Sequence, residues 1–150
     1  YVGLPVPDLF ARIFPNLRYI FVTRQDKVRQ AVSLWKAIQT STWRQEGEHQ
    51  AGEHELQFHF EAIEHLVQQL KENEACWQRY FEAANIQPYT VVYEELTQAY
   101  EETAFDILRY LHIPASEKVV FAERRMKRQA NSLSDEWVQL YHEHTPIRIR

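Results

Sequence analysis

A chain of 150 residues and 18.0 kDa has room for about one domain, and residues 1–150 are read as a single domain. With 45% hydrophobic and 25% charged residues, three Gly and six Pro, it is neither collagen-like nor of low complexity. A net charge of −4 and a pI near 6.0 argue against coating nucleic acid through bulk charge, and one cysteine, Cys76, excludes an internal disulfide and a cysteine-rich zinc site.

The opening Tyr1-Val2-Gly3-Leu4-Pro5 has no basic lead and no long apolar stretch, so it does not read as a signal peptide. It also lacks an initiator Met, which suggests part of something longer. No apolar run approaches the roughly 18 residues of a membrane span, so a soluble, reducing, cytoplasmic setting without nucleic-acid or membrane partners is expected.

Pro7-Asp8 opens a short amphipathic helix through Phe14, which Pro15-Asn16 ends. Leu17 to Thr23 is apolar, aromatic and β-branched, and predicts a strand buried on both faces. Asp26 then caps a helix from Lys27 to about Trp43, with a core stripe of Val28, Ala31, Val32, Trp35 and Ile38. Residues 44–52 carry two Gly and no apolar period, and read as a loop.

A long helix follows from about Glu53 to Asn85, striped by Leu56, Phe60, Ile63, Leu66, Val67, Leu70, Trp77, Tyr80 and Phe81. Tyr89 to Tyr93 is the second strand. Thr97 is the candidate cap of a helix with Tyr100, Ala104, Ile107, Leu108 and Leu111 on its apolar face, stopped by Pro114. A basic linker runs to Asn131, and Ser134-Asp135-Glu136 starts a last helix carrying Trp137, Leu140 and Tyr141.

Strands separated by helices pair in parallel, so the expected class is α/β: a parallel sheet flanked by helices, in a mostly helical chain. Two strands make a poor sheet. Either strand edges pair between copies, or further strands lie upstream of Tyr1; the second is favoured.

Charge is uneven. Residues 24–44 hold five basic side chains against one acid, residues 45–74 eight acids against one Lys, and residues 118–128 five basics against one acid. Compact basic islands on an acidic protein point to a local anion site or to solvated faces. The first island follows the first strand, so Arg24 leaves the carboxyl edge of the sheet, where ligands bind in open α/β folds. Ser33 lies two turns into the next helix and Arg29 is four residues before it, so Arg24, Arg29 and Ser33 are expected to face one crevice. A guanidinium fork, a hydroxyl and a helix N-terminus suit phosphate oxygens.

Three segments carry a resemblance. Thr23 to Trp43 (TRQDKVRQAVSLWKAIQTSTW) resembles the 3′-phosphate-binding segment of the trehalose 2-sulfotransferase-like family, a branch of the sulfotransferases. Tyr89 to Leu96 (YTVVYEEL) is similar to that family's later core strand and its Tyr-Glu-acid-Leu ending, and Lys127 to Val138 (KRQANSLSDEWV) to its Arg-Gln-Ala segment and Trp-containing helix. The segments keep the family's order and span nearly the whole chain.

The resemblance implies a P-loop-like fold that binds 3′-phosphoadenosine 5′-phosphosulfate and passes a sulfuryl group to a hydroxyl, with a carbohydrate-like acceptor and a homodimer. It implies that Arg24 and Ser33 hold the 3′-phosphate, with Arg128 and Gln129 folding over the nucleotide. Tyr93 is either near the adenine or a core residue. Trp35 and Trp137 fit apolar stripes and read as packing. The family's phosphate-cradling loop is rich in Gly, Ser and Thr, and the only glycines here are Gly3, Gly47 and Gly52, none between a strand and a helix. Its acidic catalytic base also belongs to a portion upstream of Tyr1. The chain is therefore expected to be the C-terminal portion of a sulfotransferase domain, with no catalytic residue assigned. The alternative is a non-catalytic binding or dimerisation module of the same descent.

The remaining constellations read as structural. His49, His54, His59 and His65 among several Glu share no single helical face, so no metal site is expected. His112 closes a helix, and Cys76 beside Glu72 and Glu74 is not expected to be a reactive thiolate.

Overall fold

The computed structural model of the chain describes Phe10 and residues 13–40, 56–114 and 132–145. The order is β1 (Ile20–Thr23), α1 (Lys27–Thr40), α2 (Phe60–Ala83), β2 (Tyr89–Val92), α3 (Tyr93–Gln98), α4 (Tyr100–Tyr110) and α5 (Ser132–His144). The result is a mixed α/β, mostly helical chain with a small parallel sheet: β1 pairs β2 in parallel, from Ile20↔Tyr89 to Thr23↔Val92. Two compact units share the chain, one formed by residues 1–25 and 73–128, the other by 26–72 and 129–150.

In the first unit the sheet carries an aromatic layer. Tyr19 packs edge-on against Tyr80 and Phe81, and Phe21 against Phe81, with ring centroids 5.5–6.2 Å apart. These contacts bury Tyr80 and Phe81 of the α2 stripe, while Trp77 stays 41% exposed. Beside β2, Tyr89 stacks near Tyr110 of α4, and Arg18 lies 5.4 Å over the Tyr110 ring. The strand expected over Leu17–Thr23 pairs only from Ile20, and it is not buried on both faces: Val22 is 61% exposed. Alternation along β1 turns Phe21 and Thr23 inward and leaves Ile20 and Val22 outward, so only one face of the strand is covered among the described residues.

In the second unit Ala31 and Val32 of α1, Ile63, Leu66 and Val67 of α2, and Trp137 and Tyr141 of α5 form the core. Val32, Ile63 and Val67 are essentially sealed from water, each worth roughly 1.5–3 kcal/mol of burial. Val28, Trp35, Phe58, Phe60 and Leu140 pack around them. Ile38, placed in the α1 stripe by its spacing, is exposed instead. Trp35 and Trp137 are packing residues, and the Trp35 indole N–H donates to the Gln57 carbonyl at 2.9 Å.

Helix ends follow local chemistry. The Asp26 carboxylate accepts from the Arg29 N–H at 2.8 Å, a side-chain N-cap that starts α1. The end of α2 is a left-handed residue, Asn85 at φ 51°; its N–H donates to Glu82 O, and the Ile86 N–H reaches back to Phe81 O. His112, at φ 58°, closes the turn after α4 in the same way, with its N–H on Arg109 O and the Ile113 N–H on Leu108 O. Both are the paired bonds that satisfy orphan carbonyls at a helix C-terminus.

Four boundaries differ from expectation. Residues 56–59 precede α2 rather than belonging to it, and Ala62 N–H donates to His59 Nδ1 at 3.3 Å, so the imidazole serves as a cap. Tyr93 begins α3 rather than ending β2, and Thr97 lies inside α3 with its hydroxyl donating to Glu94 O; α4 begins after Ala99, which holds its N-cap position. Helix α5 starts at Ser132, and Ser134 is buried within it, accepting from Lys36 Nζ at 3.3 Å.

Candidate functional site

The parallel register ends at Thr23↔Val92, so the chain leaves both strands at the same edge, with Arg24 next on one and Tyr93-Glu94 next on the other. Arg24 lies with its guanidinium carbon 4.5 Å from the Tyr93 ring centroid. Its Nε is 3.7 Å from Glu94 Oε1, and the arginine side chain is only 18% exposed. The second carboxylate oxygen, Oε2, accepts the backbone N–H of Gln25 at 3.0 Å. Just before Arg24, the Thr23 hydroxyl donates to Glu74 on α2. A charged fork at the carboxyl edge of a parallel sheet, stacked on an aromatic ring, has the chemistry to take phosphate oxygens in pairs.

Of the residues singled out from the sequence, Arg24 and Tyr93 are brought together. Ser33 is half-buried on α1 and belongs to the other unit. Arg128 and Gln129 lie outside the described residues, as does the second basic island.

Arg29 pairs with acids of the second unit. Its Nη1 meets Asp135 of α5 at 2.6 Å, and its Nε is 3.5 Å from Asp26. The hydrogen bond to Asp135, working against desolvation, raises the guanidinium pKa further above its ordinary value. The same carboxylate of Asp26 takes the Arg29 N–H, so this α1 amide is already satisfied. Pairing with acids of its own unit explains Arg29 without any ligand.

Glu94 is the residue that sequence reasoning missed. Its signal was present: an acid directly after Tyr93 in YEEL, at the end of a strand that runs parallel to the one delivering Arg24. Strand pairing converts two segments 69 positions apart into neighbours.

Along the same unit a groove of about 450 Å³ runs between sheet and α2, with Phe21 and Phe81 on its floor and Glu74, Gln78 and Glu82 on one wall. Cys76 on α2 is half-buried, and Arg79 Nη2 donates to its sulfur at 3.0 Å; Glu74, taken from sequence as its neighbour, bonds Thr23 instead. In the histidine run, His49 and His54 lie outside the described residues, and His59 faces Glu61 at 3.3 Å. Among the described residues, no three His, Cys, Asp or Glu side chains could hold a metal ion, and no helix is long and apolar enough to cross a membrane.

Comparison with known proteins agrees with the segments that carry this edge. The trehalose 2-sulfotransferase of Mycobacterium tuberculosis strain Erdman is 30% identical over 128 residues, 85% of this chain and 46% of the relative. The trehalose 2-sulfotransferase of Mycolicibacterium smegmatis is 32% identical over 122 residues, 81% of this chain and 44% of the relative. The chain thus spans less than half the length of the curated relatives it matches. The family model described as Stf0 sulphotransferase matches residues 6–144, which include β1, the Arg24 edge, β2 and α5, and the chain belongs to that family.

Proposed function

We propose that this chain supplies the 3′-phosphate contacts of a sulfotransferase that uses 3′-phosphoadenosine 5′-phosphosulfate and a carbohydrate hydroxyl as acceptor. The observation that carries the reading is Arg24: a guanidinium, mostly shielded from water, at the carboxyl edge of a parallel pair in a chain of this family. A guanidinium presents the paired N–H donors that a phosphate ester takes, and Ser33 is assigned to the same phosphate on the resemblance of its segment. Arg128 and Gln129 are assigned to the nucleotide on the resemblance of their segment alone. When bound, the nucleotide supplies the sulfuryl group; this chain's part is to bind and orient it. The acceptor class rests on the relatives, which are named for trehalose.

On the same reading residues 1–150 are the C-terminal portion of one sulfotransferase domain of P-loop-like fold, in a cytoplasmic homodimer. The second reading is a binding or dimerisation module of the same descent, without transfer.

Calorimetry with two nucleotides tests the assignment. Adenosine 3′,5′-bisphosphate is expected to bind more tightly than adenosine 5′-monophosphate. Arg24→Ala should remove most of a difference of about 1.5–3 kcal/mol, the range for a hydrogen bond to a charged group. Ser33→Ala should remove a smaller part. Equal binding of the two nucleotides by the unaltered protein overturns the reading.

A further inference from the structure

We infer that Glu94 and Tyr93 are positioning residues, which hold the Arg24 guanidinium ready for a phosphate. The inference rests on the phosphate reading of Arg24 and adds two residues to it. Arginine has a long, rotamer-rich stem, and a side chain that must be ordered on binding weakens affinity, whereas one already held does not.

The structure restrains Arg24 from several directions. Glu94 Oε1 lies 3.7 Å from Nε, the guanidinium nitrogen nearest the stem, an ion pair that holds the cation by charge. Glu94 Oε2 takes the N–H of Gln25, the residue that follows. Thr23, the residue before, is bonded to Glu74. The Tyr93 ring lies under the guanidinium at 4.5 Å and favours a flat approach of the cation. One carboxylate thus restrains both the side chain of residue 24 and the backbone just beyond it. With Arg24 18% and Glu94 30% exposed, the pair is neither fully solvated nor sealed, so water screens it only in part.

A carboxylate beside a phosphate site has an opposite effect available to it. If Glu94 acted only as a nearby negative charge, its removal would tighten phosphate binding. Positioning requires that removal weaken it. The sign of the change separates the two.

The experiment is the affinity ratio of adenosine 3′,5′-bisphosphate to adenosine 5′-monophosphate, measured by calorimetry on the full chain and its variants. The unaltered protein is expected to show a ratio of roughly ten or more. Glu94→Ala should lower that ratio by about three- to ten-fold while leaving 5′-monophosphate affinity unchanged. Glu94→Gln keeps an acceptor for the Gln25 N–H and should lose less. Tyr93→Leu should lower the ratio, and Tyr93→Phe, which keeps the ring, should restore it. A thermal melt and circular dichroism spectrum matching those of the unaltered protein show that each variant is folded. A ratio that is unchanged or raised in Glu94→Ala, while Arg24→Ala still abolishes it, overturns the positioning role and leaves the phosphate reading standing. No preference in the unaltered protein overturns both.

Discussion

Arg29 offers a direct test of whether burial and charge in the second unit, rather than a ligand, account for a basic residue that helical phasing placed beside Ser33. Its partners are Asp135, 2.6 Å away, and Asp26, 3.5 Å away. The arginine side chain is 26% exposed but Asp135 is 56% exposed, so water screens the pair and its worth lies in the range of surface ion pairs. We therefore expect Arg29→Ala to cost about 1 kcal/mol in all, and a double-mutant cycle with Asp135→Ala to return a coupling of about 0.5–1 kcal/mol. Denaturant unfolding of the four proteins gives the coupling, which should shrink in high salt. The nucleotide assay supplies the second half of the test: Arg29→Ala should leave the 3′-phosphate preference intact, in contrast to Arg24→Ala. A coupling indistinguishable from zero together with loss of that preference would refute the reasoning, because Arg29 would then be serving the ligand and not α5.

Other expectations follow from packing and titration. Trp137→Ala empties a core position 3% exposed between α1 and α2, and should cost roughly 3–5 kcal/mol in denaturant unfolding. Burial, reinforced by its bond to Glu64, raises the Tyr141 phenol from 10.0 to about 12. The folded state therefore holds this proton more tightly than the unfolded chain. Its contribution is complete below pH 10.0 and is lost as pH rises through about 12, removing up to about 3 kcal/mol, and Tyr141→Phe should flatten that alkaline loss of stability. His112 adopts φ 58°, so His112→Ile should destabilise by about 1 kcal/mol while His112→Gly should be tolerated, as thermal melts would show.

Local features were legible in the chain because they are decided within a few residues. Asp26 is followed by a helix whose third amide it caps, and Asn85 and His112 stand where helices stop. The Ala31, Val32, Ile63, Val67, Trp137 and Tyr141 positions repeat at helical spacing and form one core. Parallel pairing of β1 with β2 followed from the helices between them. The resemblance in three segments also reached the family, since those motifs are contiguous.

What the tertiary structure alone decided concerns which charge meets which. Arg24 and Arg29 are five residues apart and chemically alike, yet one stacks on Tyr93 beside Glu94 and the other turns to Asp135. No local rule distinguishes them, because the distant partners, Glu94 and Asp135, lie about 70 or more positions away and are delivered by strand register in one case and helix packing in the other. The exposure of Val22 and Ile38 has the same origin: periodicity marks which residues share a face, and only the neighbouring elements determine whether that face is covered.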